Sequence, residues 1–217
     1  MTNLEDCLNK GELSSKKNYF VITRGLDLVL SIVGLVLLSP ILLAIILFIK
    51  LDDPKSPVIF KQERVGKNEQ KFMMYKFRTM VPNAERELEK YLQYNEIEGA
   101  TFKMKQDPRI TKVGTFLRKT SLDELPQLWN VIKGDMSLVG PRPPLPREVA
   151  MYSEYDKQRL LVLPGCTGLW QVSGRNELSF DEMVELDLKF IHQLSLEQYL
   201  LIIIKTFGVV FSQRGAY

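Results

Sequence analysis

The chain has 217 residues, a length that suits one domain, or one domain with a membrane anchor. Its formal net charge of +3 is too small to indicate nucleic-acid binding. With His192 as the single histidine and Cys7 and Cys166 as the only cysteines, a multi-histidine metal site and a disulfide framework are both excluded.

Residues 1–18 are mainly polar and predict an N-terminal segment that is loose or helical on the surface. An uncharged apolar run over residues 28–49 follows, and about 20 apolar residues are enough to span a bilayer. The run is too long for a secretory signal, and no small-residue cleavage site follows it. We therefore predict a membrane helix over residues 19–50.

Ser39 and Pro40 lie in the middle of the apolar run. A proline removes a backbone hydrogen bond and bends a helix, while the hydroxyl of Ser39 can satisfy the freed carbonyl. Both flanks of the run are basic, and positive loops prefer the cytoplasmic side of a membrane. These features favour a re-entrant helix that enters and leaves on one face, with a break at Ser39 and Pro40. A kinked full span is the alternative.

Residues 51–217 predict an α/β fold, a small mixed domain in which short strands and helices follow one another. The predicted elements are strands at 58–60 and 72–77 around a turn at 66–68, a charged helix at 83–94, two helices within 107–133 that meet near Thr120 and Ser121, a proline-rich loop at 134–146, a helix at 152–161 and a loop at 164–175.

Residues 180–211 show apolar side chains at helical spacings of three and four, among them Tyr199, Ile203 and Phe207. Glu197 and Lys205 argue against a second membrane span. The pattern favours an amphipathic helix that lies in the membrane interface, and a buried core helix is the alternative.

Asp123 and Glu124 are the main candidates for chemistry. Proline is tolerated only in the first turn of a helix, so Pro126 predicts a helix start near Asp123, where the helix dipole would hold the carboxylate ionised. An ionised Asp beside a bound pyrophosphate is a plausible nucleophile, and Glu124 could hold Mg²⁺. The alternative is structural, because Ser121 and Glu124 have the spacing of a helix capping box.

Basic side chains near the acid pair are candidates for substrate binding, since arginine suits bidentate recognition of phosphate. Each one alone could be a solvated surface charge, and the sequence does not show whether they converge. The candidates are Lys76, Arg78, Arg109, Arg118, Arg142 and Arg175.

Trp170 and Asp187 complete the polar candidates. Trp170 could stack on a ligand or fill the core. Asp187 is an isolated acid within an apolar helical pattern, which indicates either a functional carboxylate or an acid on the helix surface.

Seven strings in this order resemble the bacterial sugar transferase family, the monotopic phosphoglycosyl transferases. The resemblance covers residues 19–211 and is specific, because the strings are independent of one another. They are Ser39-Pro40, YKFRTM from Tyr75, SLDELPQLWN from Ser121, KGDMSLVGPRP from Lys133, PGxTG from Pro164, GRN from Gly174 and ELD from Glu185.

The resemblance implies a cytoplasmic α/β domain with a re-entrant membrane helix and interfacial amphipathic helices, on the cytoplasmic face of the inner membrane. It implies transfer of a sugar 1-phosphate from a UDP-sugar to a polyprenyl phosphate such as undecaprenyl phosphate, with release of UMP and with Mg²⁺ as cofactor. Membrane lipids would be further partners and nucleic acid would not. The chain would be a minimal member without extra spanning helices; the sugar and assembly as a homo-oligomer stay open.

Carried over by position, Asp123 would be the covalent nucleophile and Glu124 the Mg²⁺ ligand. Arg118 would contact phosphate, and Asp187 could assist the second half-reaction by deprotonating the acceptor. The nucleotide-contacting motif would be Pro141, Arg142 and Pro143. Two rival functions remain, a phosphatase that uses the same Asp and a non-enzymatic scaffold that binds nucleotides.

Overall fold

The protein forms ten α-helices and four short β-strands in the ranges that the computed structural model describes, residues 10–94, 104, 106–174 and 178–212. The predicted mixed fold is therefore confirmed. The helices are α1 (Lys10–Ser15), α2 (Lys17–Asp52), α3 (Leu88–Tyr91), α4 (Lys112–Lys119), α5 (Gln127–Lys133), α6 (Pro146–Val149), α7 (Glu154–Lys157), α8 (Leu169–Ser173), α9 (Phe180–His192) and α10 (Leu196–Ser212). The strands are β1 (Ile59–Val65), β2 (Lys71–Phe77), β3 (Ser137–Val139) and β4 (Gly165–Thr167).

The strands form two separate two-stranded sheets. β1 and β2 are an antiparallel hairpin in which Ile59 pairs with Phe77 and Val65 pairs with Lys71. This hairpin was predicted, and its turn is the short 3-10 helix Lys67–Glu69. β3 and β4 are parallel and lie within segments that were predicted to be loops.

The helix predicted over residues 83–94 is mostly wrong. Residues 82–87 form turns, and regular helix appears only in α3 before a 3-10 turn at Leu92–Tyr94. The backbone of Asn83 has a φ of 68°, a left-handed conformation that a right-handed helix does not contain. The segment is charged, as the sequence shows, but the turns at residues 82–87 interrupt the predicted helix.

Helix α2 has 36 residues and is about 54 Å long at the usual rise per residue. Within the described part of the chain it is the one helix long and apolar enough to cross a membrane. Its middle is strongly exposed, with Val36 at 65%, Leu37 at 72% and Leu43 at 67%. Exposed apolar surface of this extent indicates a lipid or protein environment rather than water.

The predicted helix-break-helix division at Ser39 and Pro40 is not present, because the chain stays helical through both residues. Pro40 has no N–H to donate to the carbonyl of Val36, one turn earlier. The hydroxyl of Ser39 donates to that carbonyl at 2.7 Å. The hydroxyl therefore replaces the missing bond, as expected, and helps the helix to continue where a break was predicted.

The first half of α2 is fixed to the domain by Asp27, which is 2% exposed. Asp27 lies one residue before the apolar run, and sequence reasoning missed it. Its carboxylate Oδ1 accepts hydrogen bonds from the backbone N–H of Leu138 at 2.8 Å, the hydroxyl of Ser137 at 3.1 Å and the hydroxyl of Tyr199 at 2.6 Å. One side chain thus joins α2, β3 and α10.

Helix α10 is amphipathic. Its inner face carries Tyr199 and Ile202, which are fully buried against α9 and β3. Its outer face exposes Leu200, Ile204 and Phe207, with Ile204 at 66% and Phe207 at 62%. The buried-helix alternative is therefore right for the inner face, and the interfacial location of the exposed face stays a prediction.

Candidate active site

The acid pair lies on a tight turn between α4 and α5. Ser121 takes a left-handed conformation with a φ of 55°, a 3-10 turn covers Leu122–Glu124, and α5 begins after Pro126. Ser121 makes no side-chain cap hydrogen bond. The capping-box alternative is thus not formed, and Glu124 instead accepts a hydrogen bond from Lys76 Nζ at 2.7 Å.

The same turn is held against the apolar helix α2. Leu122 and Leu125, which flank the two acids, pack on a cluster that includes Ile45 and Ile49 of α2. The two leucines are three residues apart and face α2, whereas the two acids between them line the pocket. This arrangement holds Asp123 close to the long apolar helix α2.

A pocket of about 820 Å³ opens over the acid pair. Its volume is within the range of about 300–1,000 Å³ that small-molecule sites occupy. Asp123 is 8% exposed and lines this pocket together with Glu124. The charged lining residues are Arg64, Lys76, Arg78, Glu85, Arg86, Arg109, Arg118, Asp123, Glu124 and Arg147, and Trp170 and Gln171 also contribute.

Burial raises the pKa of Asp123 to about 6, although Lys76 and Arg118 oppose the shift. The expectation that the helix start holds this carboxylate ionised did not include the effect of burial on its pKa. Loss of hydration disfavours the charged carboxylate more than the nearby positive charges favour it. At neutral pH most of Asp123 is still ionised.

The structure brings the predicted cations together. Lys76 lies in β2 and Arg78 directly follows it, Arg109 comes from the loop before α4 and Arg118 from α4, and all four line the pocket. Arg118 Nε donates to Thr79 Oγ1 at 3.0 Å, and Arg78 Nε donates to a backbone carbonyl at 2.7 Å. The positive lining suits an anion, and the sequence alone could not establish that these cations converge.

Arg109 has a different role from the other cations. It forms a buried ion pair with Asp107, with Nη2 and Oδ2 2.6 Å apart. A second donor, Nη1, binds the carbonyl of Ala84 at 3.0 Å. These contacts tie the loop before α4 to the turn after β2, so Arg109 shapes the pocket wall.

Arg64 is a pocket cation that sequence reasoning left unassigned. It is 7% exposed, and its guanidinium donates to Pro143 O at 3.0 Å and to Gln62 Oε1 at 2.8 Å. No carboxylate lies within salt-bridge distance of it in the ranges that the structure describes. Burial, helped by the like charge of Arg142, lowers the pKa of Arg64 to about 10. A buried cation without a carboxylate partner suits an anionic ligand.

The Pro141-Arg142-Pro143 motif does not line the pocket itself. Arg142 pairs with the buried Glu148 at 3.3 Å, and the carbonyl of Pro141 accepts from the Gly165 N–H at 2.8 Å. The motif reaches the pocket through Arg64, which the Pro143 carbonyl holds. The prediction that these residues contact the nucleotide stays a prediction.

Asp187 is neither a surface acid nor a pocket residue. It is fully buried, and its Oδ2 lies 2.5 Å from Arg159 Nη2. Burial raises the pKa of Asp187 to about 6 against the opposing charge of Arg159. The helix-surface alternative was therefore wrong. Arg175, the remaining predicted binding residue, lies outside the described residues.

The acid pair fits a divalent cation that is shared with a substrate. Mg²⁺ is usually held by one or two carboxylates together with substrate phosphates. Asp123 and Glu124 supply two carboxylates to the pocket, whereas the part of the chain that the structure describes has no cluster of three or more His, Cys, Asp or Glu side chains. The residues therefore suit Mg²⁺ that arrives with phosphate.

We expect Gly114→Ala to destabilise the fold by about 1 to 3 kcal/mol. A Cβ on Gly114 would lie 2.1 Å from the backbone oxygen of Thr79. Helix α4 would therefore have to move away from Thr79, whose side chain accepts a hydrogen bond from Arg118. Denaturant unfolding in detergent measures the change. Gly208→Ala is the matched control, since nothing lies within 4 Å of its added Cβ. Equal stability of the two variants would show that the close approach is not real.

A buried carboxylate in a cation-lined pocket, on a turn that packs on a long apolar helix, suits a protein of mixed fold that handles phosphate groups. Comparison with known proteins makes the assignment specific: the chain belongs to the bacterial sugar transferase family, whose sequence profile matches residues 18–213.

Three similar proteins illustrate the family. The chain is 46% identical over 202 residues to the galactosyl transferase CpsE of Streptococcus agalactiae, covering 93% of this chain and 44% of that protein. It is 44% identical over 207 residues to the undecaprenyl-phosphate galactose phosphotransferase of Salmonella typhimurium, covering 94% and 43%. It is 41% identical over 198 residues to the exopolysaccharide production protein ExoY of Sinorhizobium fredii, covering 89% and 87%. The chain thus spans less than half of the first two and most of the third.

Proposed function

We propose that this protein transfers a sugar 1-phosphate from a UDP-sugar to a polyprenyl phosphate, through a covalent intermediate on Asp123. The observation that carries the proposal is the position of this carboxylate: it is buried in a cation-lined pocket, on a turn that packs against the apolar helix α2. A water-soluble nucleotide sugar and a lipid phosphate can both reach such a position. The name of the Salmonella relative, which gives undecaprenyl phosphate as its substrate, agrees with the acceptor.

In the first half-reaction a carboxylate oxygen of Asp123 attacks the phosphorus that carries the sugar. The bond from that phosphorus to the oxygen of UMP breaks, and UMP leaves with the electron pair. In the second, an oxygen of the polyprenyl phosphate attacks the same phosphorus and releases Asp123 as a carboxylate. Splitting one difficult transfer into two steps lets each substrate bind in turn.

The pocket cations hold the anions in these steps. Arg118 is positioned by Thr79, and Lys76 is positioned by Glu124, so both charges face the pocket before a substrate arrives. Preorganised charges stabilise a developing phosphoryl charge without having to reorient. Mg²⁺ held by Glu124 would neutralise charge on the phosphates and leave Asp123 as the nucleophile.

We also propose that both ends of α2 lie on the cytoplasmic face of the inner membrane. Two observations support this placement. Asp27 in the first half and Ile49 near the end of α2 both contact the same domain, and the residues between them, such as Val36 and Leu37, are exposed. A helix that left the domain to reach the opposite face would lose one of these two sets of contacts.

The proposal is tested by UMP release from a set of UDP-sugars in membranes, with and without undecaprenyl phosphate. The expected result is UMP release for one or a few sugars together with a lipid-linked sugar diphosphate that requires the acceptor. Inorganic phosphate or sugar phosphate released without acceptor would favour the phosphatase instead. Nucleotide binding without any product would favour the scaffold.

We expect formation of the covalent intermediate to slow tenfold per pH unit below about 6. The nucleophile is the ionised carboxylate, burial raises the pKa of Asp123 to about 6, and acid therefore removes the reactive form. Single-turnover trapping with donor alone measures this step. Omitting the acceptor matters because a phosphate monoester also titrates near pH 6. A rate constant that is flat from pH 7 to pH 5 would contradict the assignment.

A further inference from the structure

A second groove lies where helix α2 begins, and it is separate from the acid pair. Its volume is about 670 Å³, and it shares no lining residue with the pocket over Asp123. One wall is the start of α2 and the other is the turn between β1 and β2. The lining residues are Leu13, Ser14, Lys17, Phe20, Val21, Arg24, Lys67, Asn68 and Leu161.

The groove is strongly positive. Lys17, Arg24 and Lys67 line it, and none of its lining residues is acidic. Lys67 Nζ lies 5.4 Å from the ring centroid of Phe20, so the β-hairpin turn places this charge over α2. Arg24 is fixed because its guanidinium donates to the carbonyls at the end of α5, at 2.6 and 2.9 Å. Backbone carbonyls do not cancel its charge, so all three cations remain available to attract an anion.

The groove is also continuous with apolar surface. Phe20 and Val21 line it, and along α2 the exposed apolar side chains continue, with Val21 at 64% and Ile22 at 46% exposure. A ligand with an anionic head and an apolar tail matches both properties. We propose that the groove binds the phosphate headgroup of an anionic phospholipid, with an acyl chain along the exposed side of α2. This inference rests on the proposed placement of α2 in the membrane.

The groove is too far from Asp123 to hold the acceptor phosphate during transfer. Arg24 binds the carbonyls of Val131 and Ile132 at the end of α5, whereas the acid pair precedes the start of α5. The seven residues of α5 separate these two points by about 10 Å. The occupant is therefore a resident lipid that anchors the start of α2 at the membrane surface, where juxtamembrane lysines attract anionic lipids.

Native mass spectrometry of the full chain in detergent, with phosphatidylglycerol, phosphatidylcholine or undecaprenyl phosphate added, tests the proposal. We expect the wild-type protein to retain phosphatidylglycerol in preference to phosphatidylcholine, and Lys17→Gln/Lys67→Gln to retain at least fivefold less phosphatidylglycerol. The control pair Lys61→Gln/Lys71→Gln removes the same charge from exposed strand positions and should retain as much as wild type.

Three outcomes would overturn the inference. Equal loss in both pairs would show general surface attraction without a site. Equal retention in both pairs would show that the groove binds no phospholipid. Preferred retention of undecaprenyl phosphate, abolished by Lys17→Gln/Lys67→Gln, would make the groove an acceptor site. Failure of the transferase assay with full lipid retention would instead contradict only the proposed function, since lipid binding here does not require Asp123.

Discussion

Asp123→Asn should reduce turnover by at least about 10³-fold and abolish the covalent adduct. An amide oxygen is a poor nucleophile toward phosphorus, yet asparagine has the shape of aspartate and leaves Leu122 and Leu125 packed on α2. The variant should also fold normally, because neutralising a carboxylate whose burial raises its pKa removes a desolvation cost. UMP release and intact-protein mass spectrometry after donor trapping measure the two effects.

Asp181→Asn is the matched control, since this acid is exposed in the first turn of α9 and does not line the pocket. It should leave both the rate of UMP release and the adduct unchanged. If Asp123→Asn formed lipid-linked product at more than about a tenth of the wild-type rate, a direct transfer between the two substrates would replace the covalent route.

The sequence predicted best those structural features that depend only on residues close together in the chain. Ser39 and Pro40 are adjacent in the chain. The hydrogen bond from the Ser39 hydroxyl to the Val36 carbonyl was therefore predictable from local chemistry. The β-hairpin was predictable for the same reason. Whether a helix ends at a proline is harder to predict from neighbouring residues. Here α2 continues past Pro40, and one hydrogen bond from Ser39 replaces the bond that the proline removes.

Contacts between distant segments were not predictable. Lys76 and Glu124 are 48 residues apart, and nothing in either segment shows that their side chains meet at 2.7 Å. Asp27 was overlooked because it borders an apolar run, although its three donors come from β3 and α10. Arg64 was left unassigned because a strand position does not reveal that the side chain turns into a pocket. Convergence is a property of the tertiary fold.

The expected role of Asp187 changes most between sequence and structure, because the structure favours a positioning role over proton transfer. Its carboxylate receives two hydrogen bonds from Arg159, at 2.9 Å from Nε and 2.5 Å from Nη2. Arg159 is 6% exposed and also donates to the hydroxyl of Tyr152 at 3.1 Å. The pair joins α9 to the turn before β4, which leads to the pocket residues Trp170 and Gln171. An acid held in this way supports the pocket wall and does not itself line the pocket.

Asp187→Asn should therefore destabilise the protein by about 3 to 5 kcal/mol, since it leaves the Arg159 guanidinium buried without a carboxylate. Replacing both partners by apolar residues of similar total volume, Arg159→Met with Asp187→Leu, should recover most of that loss because no buried charge remains. Denaturant unfolding in detergent gives both values, and the rates of adduct formation and of transfer to polyprenyl phosphate are measured on the same samples.

The double variant separates a positioning role from proton transfer. If Asp187 only holds the pocket wall, restoring stability should restore both half-reactions together, to within about tenfold of wild type. If Asp187 deprotonates the acceptor, the stable double variant should still form the adduct normally but transfer it slowly, and the pH profile of the second half-reaction should change. We expect both half-reactions to recover together, because Asp187 is fully buried in an ion pair with Arg159 and does not face the pocket.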